Sequence, residues 1–97
     1  MTKKHAPIHP GEFLSELLTE LEITQAQLAR AIGVSPMRIS HIVKGARPVT
    51  ADMALRLGRY FGQSAQYWLN LQVRYDLDCA LDEIGKDTLS AIQPVAA

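Results

Sequence analysis

Between Thr24 and Gly45 the chain has two helix starts with one glycine between them, and few folds accept that spacing. Thr24 followed by Gln27 reads as a capping box: the hydroxyl takes one orphan N–H and the Gln side chain returns to the cap. Ala26, Leu28, Ala29 and Ile32 follow, then Gly33, which adopts φ > 0 without steric cost. Two residues later Ser35 suits an N-cap and Pro36 a first helical position. Ile39, Ile42 and Val43 supply that helix's apolar face, leaving Met37, Arg38, Ser40, His41 and Lys44 on the others. Gly45 is a natural left-handed terminator. Ala29 is small where another helix would approach, so the pattern predicts two short helices crossing steeply over a tight turn.

The flanks also read as helices, and no segment alternates like a strand. A first helix starts near His9 with Pro10 in its first turn, and Glu12 favours its positive N-terminus. Phe13, Leu14, Leu17, Leu18 and Leu21 form its apolar stripe. Ala46 to Val49 form a loop, and Thr50 caps a fourth helix with Asp52 in its first turn. Met53, Ala54, Leu57, Tyr60 and Phe61 are its expected inner face, and Gly62 ends it. Ser64 caps a long fifth helix whose apolar residues spread over more than one stripe. Such a helix needs more than one neighbour, and a second copy of the chain is the obvious one. Trp68, Leu69, Val73, Tyr75, Leu77 and Leu81 are its expected dimer residues. From Gly85 onward a frayed tail is expected. The division is therefore an arm over 1–8, an all-α domain of five helices over 9–84, and a tail over 85–97.

Composition narrows the class. The 97 residues are 47% hydrophobic and 21% charged, which argues against disorder as the main state. No apolar run approaches the ~20 residues of a bilayer span. The N-terminus lacks the apolar stretch of a secretory signal. The single cysteine, Cys79, cannot form an internal disulfide, which suits a reducing cytosol. A net charge of zero hides an uneven distribution: residues 5–23 carry −4, residues 24–60 carry +5 and residues 75–97 carry −4. Lys3 and Lys4 add +2 at the N-terminus. A basic middle between acidic flanks points to a surface that faces a polyanion, or to a fluctuation on a solvated surface.

Gln25-x-x-Leu28-Ala29-x-x-x-Gly33-Val34-Ser35-x-x-x-Ile39-x-x-Ile42 matches the helix-turn-helix signature, whose second helix enters the major groove, about 12 Å wide. The segment TQAQLARAIGVSPMRISHIVKG resembles the phage-repressor type of this motif. With HPGEFL at 9–14, RPVTADMALRLGRYFG at 47–62 and QYWLNLQVRYDL at 66–77, residues 8–80 resemble HigA-type antitoxins and virulence-associated protein I. The resemblance implies a five-helix, lambda-repressor-like DNA-binding domain that dimerises through its C-terminal helix. It also implies a bacterial, cytoplasmic and nucleoid-associated protein. Such a protein represses its own operon and silences a small basic toxin, an mRNA-cleaving ribonuclease of the RelE or HigB kind.

On the family pattern Ser35, Pro36, Met37, Arg38 and His41 face base edges. Arg38 suits bidentate pairing with guanine O6 and N7. Met37 packs either on a thymine methyl or into the core, and His41 donates to a base or phosphate or stays solvated. Gln25, Lys44, Arg47 and Thr50 fit phosphate contacts. Arg56 and Arg59 read as solvated or paired with acids. The chain departs from the family at His41, Lys44 and Ala46, where relatives often carry Arg, Asn and Lys.

Other chemistries find little support. His5, His9 and His41 lack metal spacing and Cys79 has no adjacent ligand, so neither metal nor cofactor is expected. Asp76, Asp78, Asp82 and Glu83 fall mostly on a solvated face. Without a nucleophile elbow or a phosphate-binding glycine loop, no enzyme is expected. The expected partners are operator DNA with an inverted repeat, a second copy of the chain and the basic toxin. A regulator without a toxin is the alternative.

Overall fold

The computed structural model describes residues 6–96, so Lys3, Lys4 and His5, with most of the expected arm, lie outside the described residues. Six helices and no strand occur among them: α1 (Pro10–Leu21), α2 (Gln25–Ile32), α3 (Pro36–Val43), α4 (Ala51–Phe61), α5 (Ala65–Ile84) and α6 (Lys86–Ala91). The first five stand where the sequence places them. The sixth corrects the expectation of five: it occupies part of the tail, has no side-chain cap and buries no residue.

Local chemistry sets the helix boundaries. Thr24, Ser35, Thr50 and Ser64 each accept the backbone N–H three residues on, at 3.0, 3.1, 3.3 and 3.1 Å. At Thr24 the box is reciprocal, since the Thr24 N–H donates to Gln27 Oε1 at 2.8 Å. His9 caps α1, its Nδ1 accepting the Gly11 N–H at 2.9 Å. Gly33 ends α2 with φ 74°, the left-handed geometry that the tight turn demands. Glu22 ends α1 at φ 56° without a glycine.

The buried apolar side chains form one core: Leu14 and Leu18 of α1, Leu28, Ala29 and Ile32 of α2, Ile39 and Ile42 of α3, Met53, Ala54 and Leu57 of α4, Val49 before it, and Trp68 of α5. Burying each large aliphatic among these contributes about 1.5–3 kcal/mol. Four expected placements change here. Leu21 and Tyr60 are exposed rather than inward. Trp68, expected at a dimer interface, is 1% exposed and belongs to the protomer's own core, because α5 lays its first turns against α4. Tyr75, expected beside it, is half-buried and turned edge-on to the His9 ring at 4.9 Å.

What α5 leaves open is a separate line. Val73, Leu77 and Leu81 are exposed at successive steps of four, and half-buried Leu69 begins the series. No helix among the described residues is long and apolar enough to cross a membrane.

Candidate nucleic-acid interface

The helix pair α2 and α3 is fixed on the body from three sides. From α4, Arg56 reaches the end of α2: its Nη1 donates to the Ile32 carbonyl at 2.6 Å and to that of Gly33 at 3.4 Å, while Nε holds Asp52 Oδ2 at 3.0 Å. The Asp52 pairing fits the sequence reading of Arg56; the clamp on the turn has no signal in the sequence. The turn itself closes through the Val34 N–H to the Ala29 carbonyl at 3.0 Å. From α1, Gly11 lies against α3 so closely that an added methyl would meet the Ile42 carbonyl oxygen at 1.9 Å.

The third support is the segment between α3 and α4. The Gly45 N–H donates to the Ile42 carbonyl at 3.0 Å, and the Ala46 and Arg47 N–H groups donate to that of His41 at 2.8 and 3.2 Å. This folds the loop back on α3 and sets Arg47 beside its last turn. The Val49 N–H donates to Gln72 Oε1 of α5 at 2.7 Å, and Gln72 Nε2 donates to Asp76 Oδ1 at 2.9 Å. Val49 itself is buried.

These supports leave the N-terminal end of α3 facing solvent. Ser35, Pro36 and Met37 are exposed there, and Arg38 and His41 are half-buried along the same helix. Met37, at 66% exposure, is no core residue, which closes the packing alternative. Gln25 stands exposed on the first turn of α2, Lys44 and Arg47 are exposed just beyond α3, and exposed Thr50 caps α4. The Ser35 and Thr50 hydroxyl oxygens already accept a backbone N–H, so each hydroxyl proton is free to be donated outward. No carboxylate among the described residues pairs with Arg38, Lys44 or Arg47. The surface therefore offers uncompensated guanidinium and ammonium groups, outward donors and two helix N-termini. No cluster of three or more potential metal ligands occurs among the described residues.

Two polar residues of this architecture escape sequence reasoning. His9 and Gln72 are the only buried polar or charged side chains among the described residues, each 7% exposed. The one signal for Gln72 is its place four residues after Trp68, on the inward line of α5.

Comparison with known proteins agrees with this geometry. Residues 14–68 match the helix-turn-helix family. Virulence-associated protein I of Dichelobacter nodosus is 49% identical over 90 residues, covering 92% of this chain and 82% of that protein. The structure of Pseudomonas aeruginosa antitoxin HigA with the higBA promoter superposes with a TM-score of 0.86 at 49% identity, over 93% of this chain and 99% of that one. An addiction module antidote protein of the HigA family from Coxiella burnetii superposes with a TM-score of 0.88 at 43% identity, again over 93% and 99%. Motif, packing and relatives converge: the chain belongs to the helix-turn-helix family, on the branch of the HigA antitoxins and virulence-associated protein I.

Proposed function

We propose that this protein is a sequence-specific DNA-binding antitoxin that represses its own operon and neutralises a basic, mRNA-cleaving toxin. The observation that carries the reading is the solvent-facing N-terminal end of α3, with Arg38, Lys44 and Arg47 free of carboxylate partners among the described residues, in a chain so similar to an antitoxin bound to promoter DNA. Ser35, Pro36, Met37, Arg38 and His41 read base edges. Gln25, Lys44, Arg47 and Thr50 hold phosphates on either side. Met37 suits a thymine methyl and Arg38 a guanine.

Two copies join through Leu69, Val73, Leu77 and Leu81 of α5. The dimer sets two α3 helices in successive major grooves, about 34–36 Å apart, and so reads an inverted repeat. The toxin meets the acidic side of the molecule, where Ser15, Glu16, Thr19 and Glu20 line a shallow cleft on α1. Opposite charge there speeds and orients the encounter with a basic protein.

The test is to isolate the tagged protein from its native cells at moderate salt and identify by mass spectrometry what is bound. Operator DNA and a stoichiometric basic protein of similar size are expected. Recovery of DNA alone would overturn the antitoxin half and leave a stand-alone regulator. Recovery of neither would overturn both halves.

A further inference from the structure

A chain with only two buried polar side chains among its described residues directs both at one loop. Gln72, on α5, accepts the Val49 N–H through Oε1 at 2.7 Å. His9, before α1, accepts the Gly11 N–H on Nδ1, so the ring proton sits on Nε2. The ring also fills the space beside Gly45, where an added methyl would lie 3.6 Å from it. Residues 45 and 49 are thus each fastened or packed from the body. Between and after them stand Arg47 and Thr50, the expected phosphate contacts.

Burying a polar side chain costs free energy unless it finds a partner, and an apolar pair would fill the same space. Gln72 meets a backbone N–H of the surface loop and the His9 ring packs on the loop's glycine, so what they add is placement. We propose that His9 and Gln72 are positioning residues of the DNA interface, holding the Arg47–Thr50 loop at the fixed distance from α3 that a phosphate backbone requires. The inference rests on the DNA-binding reading above. Neither side chain reaches DNA. Each acts through the loop, and both connect it to the segment of α5 that leads into the exposed apolar line, since Gln72 precedes Val73 and the His9 ring meets Tyr75.

The experiment measures binding of the full chain to a duplex of its own promoter region by fluorescence anisotropy, between about 50 and 200 mM salt. The variants are His9→Asn, Gln72→Leu, Arg47→Ala and each of the first two combined with Arg47→Ala. Asn is a good N-cap and keeps the α1 start while lacking the ring that packs beside Gly45. His9→Asn therefore decides the matter if Gln72→Leu does not fold.

The slope of log K against log salt should fall by about 0.9 for each phosphate that the protein no longer holds. Affinity should fall by about eightfold per phosphate at about 0.1 M salt relative to a 1 M reference. The double variants should show little further fall in slope beyond Arg47→Ala alone, because Arg47 is the one charged side chain of the loop and Thr50 is neutral. Unchanged slopes in folded His9→Asn, or slope changes that simply add to that of Arg47→Ala, would overturn the proposal. If the unmodified protein shows no salt-dependent binding to its promoter, the DNA-binding reading fails instead.

Discussion

Arg56 Nη1 donates to the carbonyl of Ile32 at 2.6 Å, tying the end of α2 to α4 behind it. A charged donor takes up a carbonyl that the end of α2 would leave without a partner. Arg56→Met keeps the aliphatic stem and removes both the clamp and the Asp52 pair. It should cost about 1.5–3 kcal/mol in urea unfolding, the range for hydrogen bonds to charged groups. Arg56→Lys should recover only part of this, since one ammonium cannot keep the fork geometry.

Gly11→Ala should destabilise more than any exposed alanine substitution on α1. The new methyl would stand 1.9 Å from the Ile42 carbonyl oxygen, so α1 and α3 must separate. A loss of about 3 kcal/mol, at the upper end of overpacking effects, is expected in thermal or urea melts. A wild-type melting midpoint would contradict the packing described for this pair.

Arg38→Ala and Arg47→Ala should separate base reading from phosphate holding. The first should cost about 1–3 kcal/mol and relax preference at one base position. The second should weaken all sequences alike and lower the salt slope by about 1. Binding to a library of single-base operator variants measures both. An Arg38→Ala protein with unchanged operator preference would remove that residue from the base-facing set.

Leu77→Glu should give a monomer. Leu77 is 56% exposed in the protomer, so the change leaves the core alone. It removes about 1.5–3 kcal/mol of apolar burial per copy from the proposed seam and adds a charge to it. Sedimentation equilibrium should show half the native mass, and affinity for a two-half-site duplex should fall towards that of one half-site. A dimer of undiminished strength would place the interface elsewhere.

Acid should weaken the fold through His9. Burial holds its imidazole below the ordinary 6.5, while the Arg47 backbone, Asp76 and Glu12 pull the other way. The unfolded chain therefore binds the proton more readily than the folded one. The stability due to neutral His9 is complete above the ordinary value of 6.5 and is lost as pH falls from there through the lowered folded value. Protonation puts a proton on Nδ1, where the Gly11 N–H now donates. Urea midpoints between about pH 7.5 and 5 should fall more steeply for the natural protein than for His9→Asn.

The helix boundaries were legible because the groups that set them are neighbours in sequence. Thr24 with Gln27, Ser35 with Pro36, and Thr50 and Ser64 each declare a helix start by local chemistry. The inward side of α3 was legible for the same reason, since Ile39 and Ile42 stand three apart and both are buried. What stayed hidden depends on distant partners. Nothing near Gln72 announces Val49, which is 23 residues away. Gly11 reads as an ordinary first-turn residue until α3 lies on it. Trp68 and Leu77 sit on one helix with apolar residues over two faces, and periodicity does not say which face the protomer fills itself. The helix Lys86–Ala91 has neither a side-chain cap nor a buried stripe to mark it.

The capping geometry also bears on how quickly the chain finds its shape. Each of the first five helices is started by a side chain no more than three residues from the N–H it accepts. Contacts of such short range form without waiting for distant segments to meet, and all-helical domains dominated by them fold in microseconds to milliseconds. A newly made copy would then be competent within a small fraction of the time its synthesis takes. The amount of active protein would follow the rate of translation almost without delay.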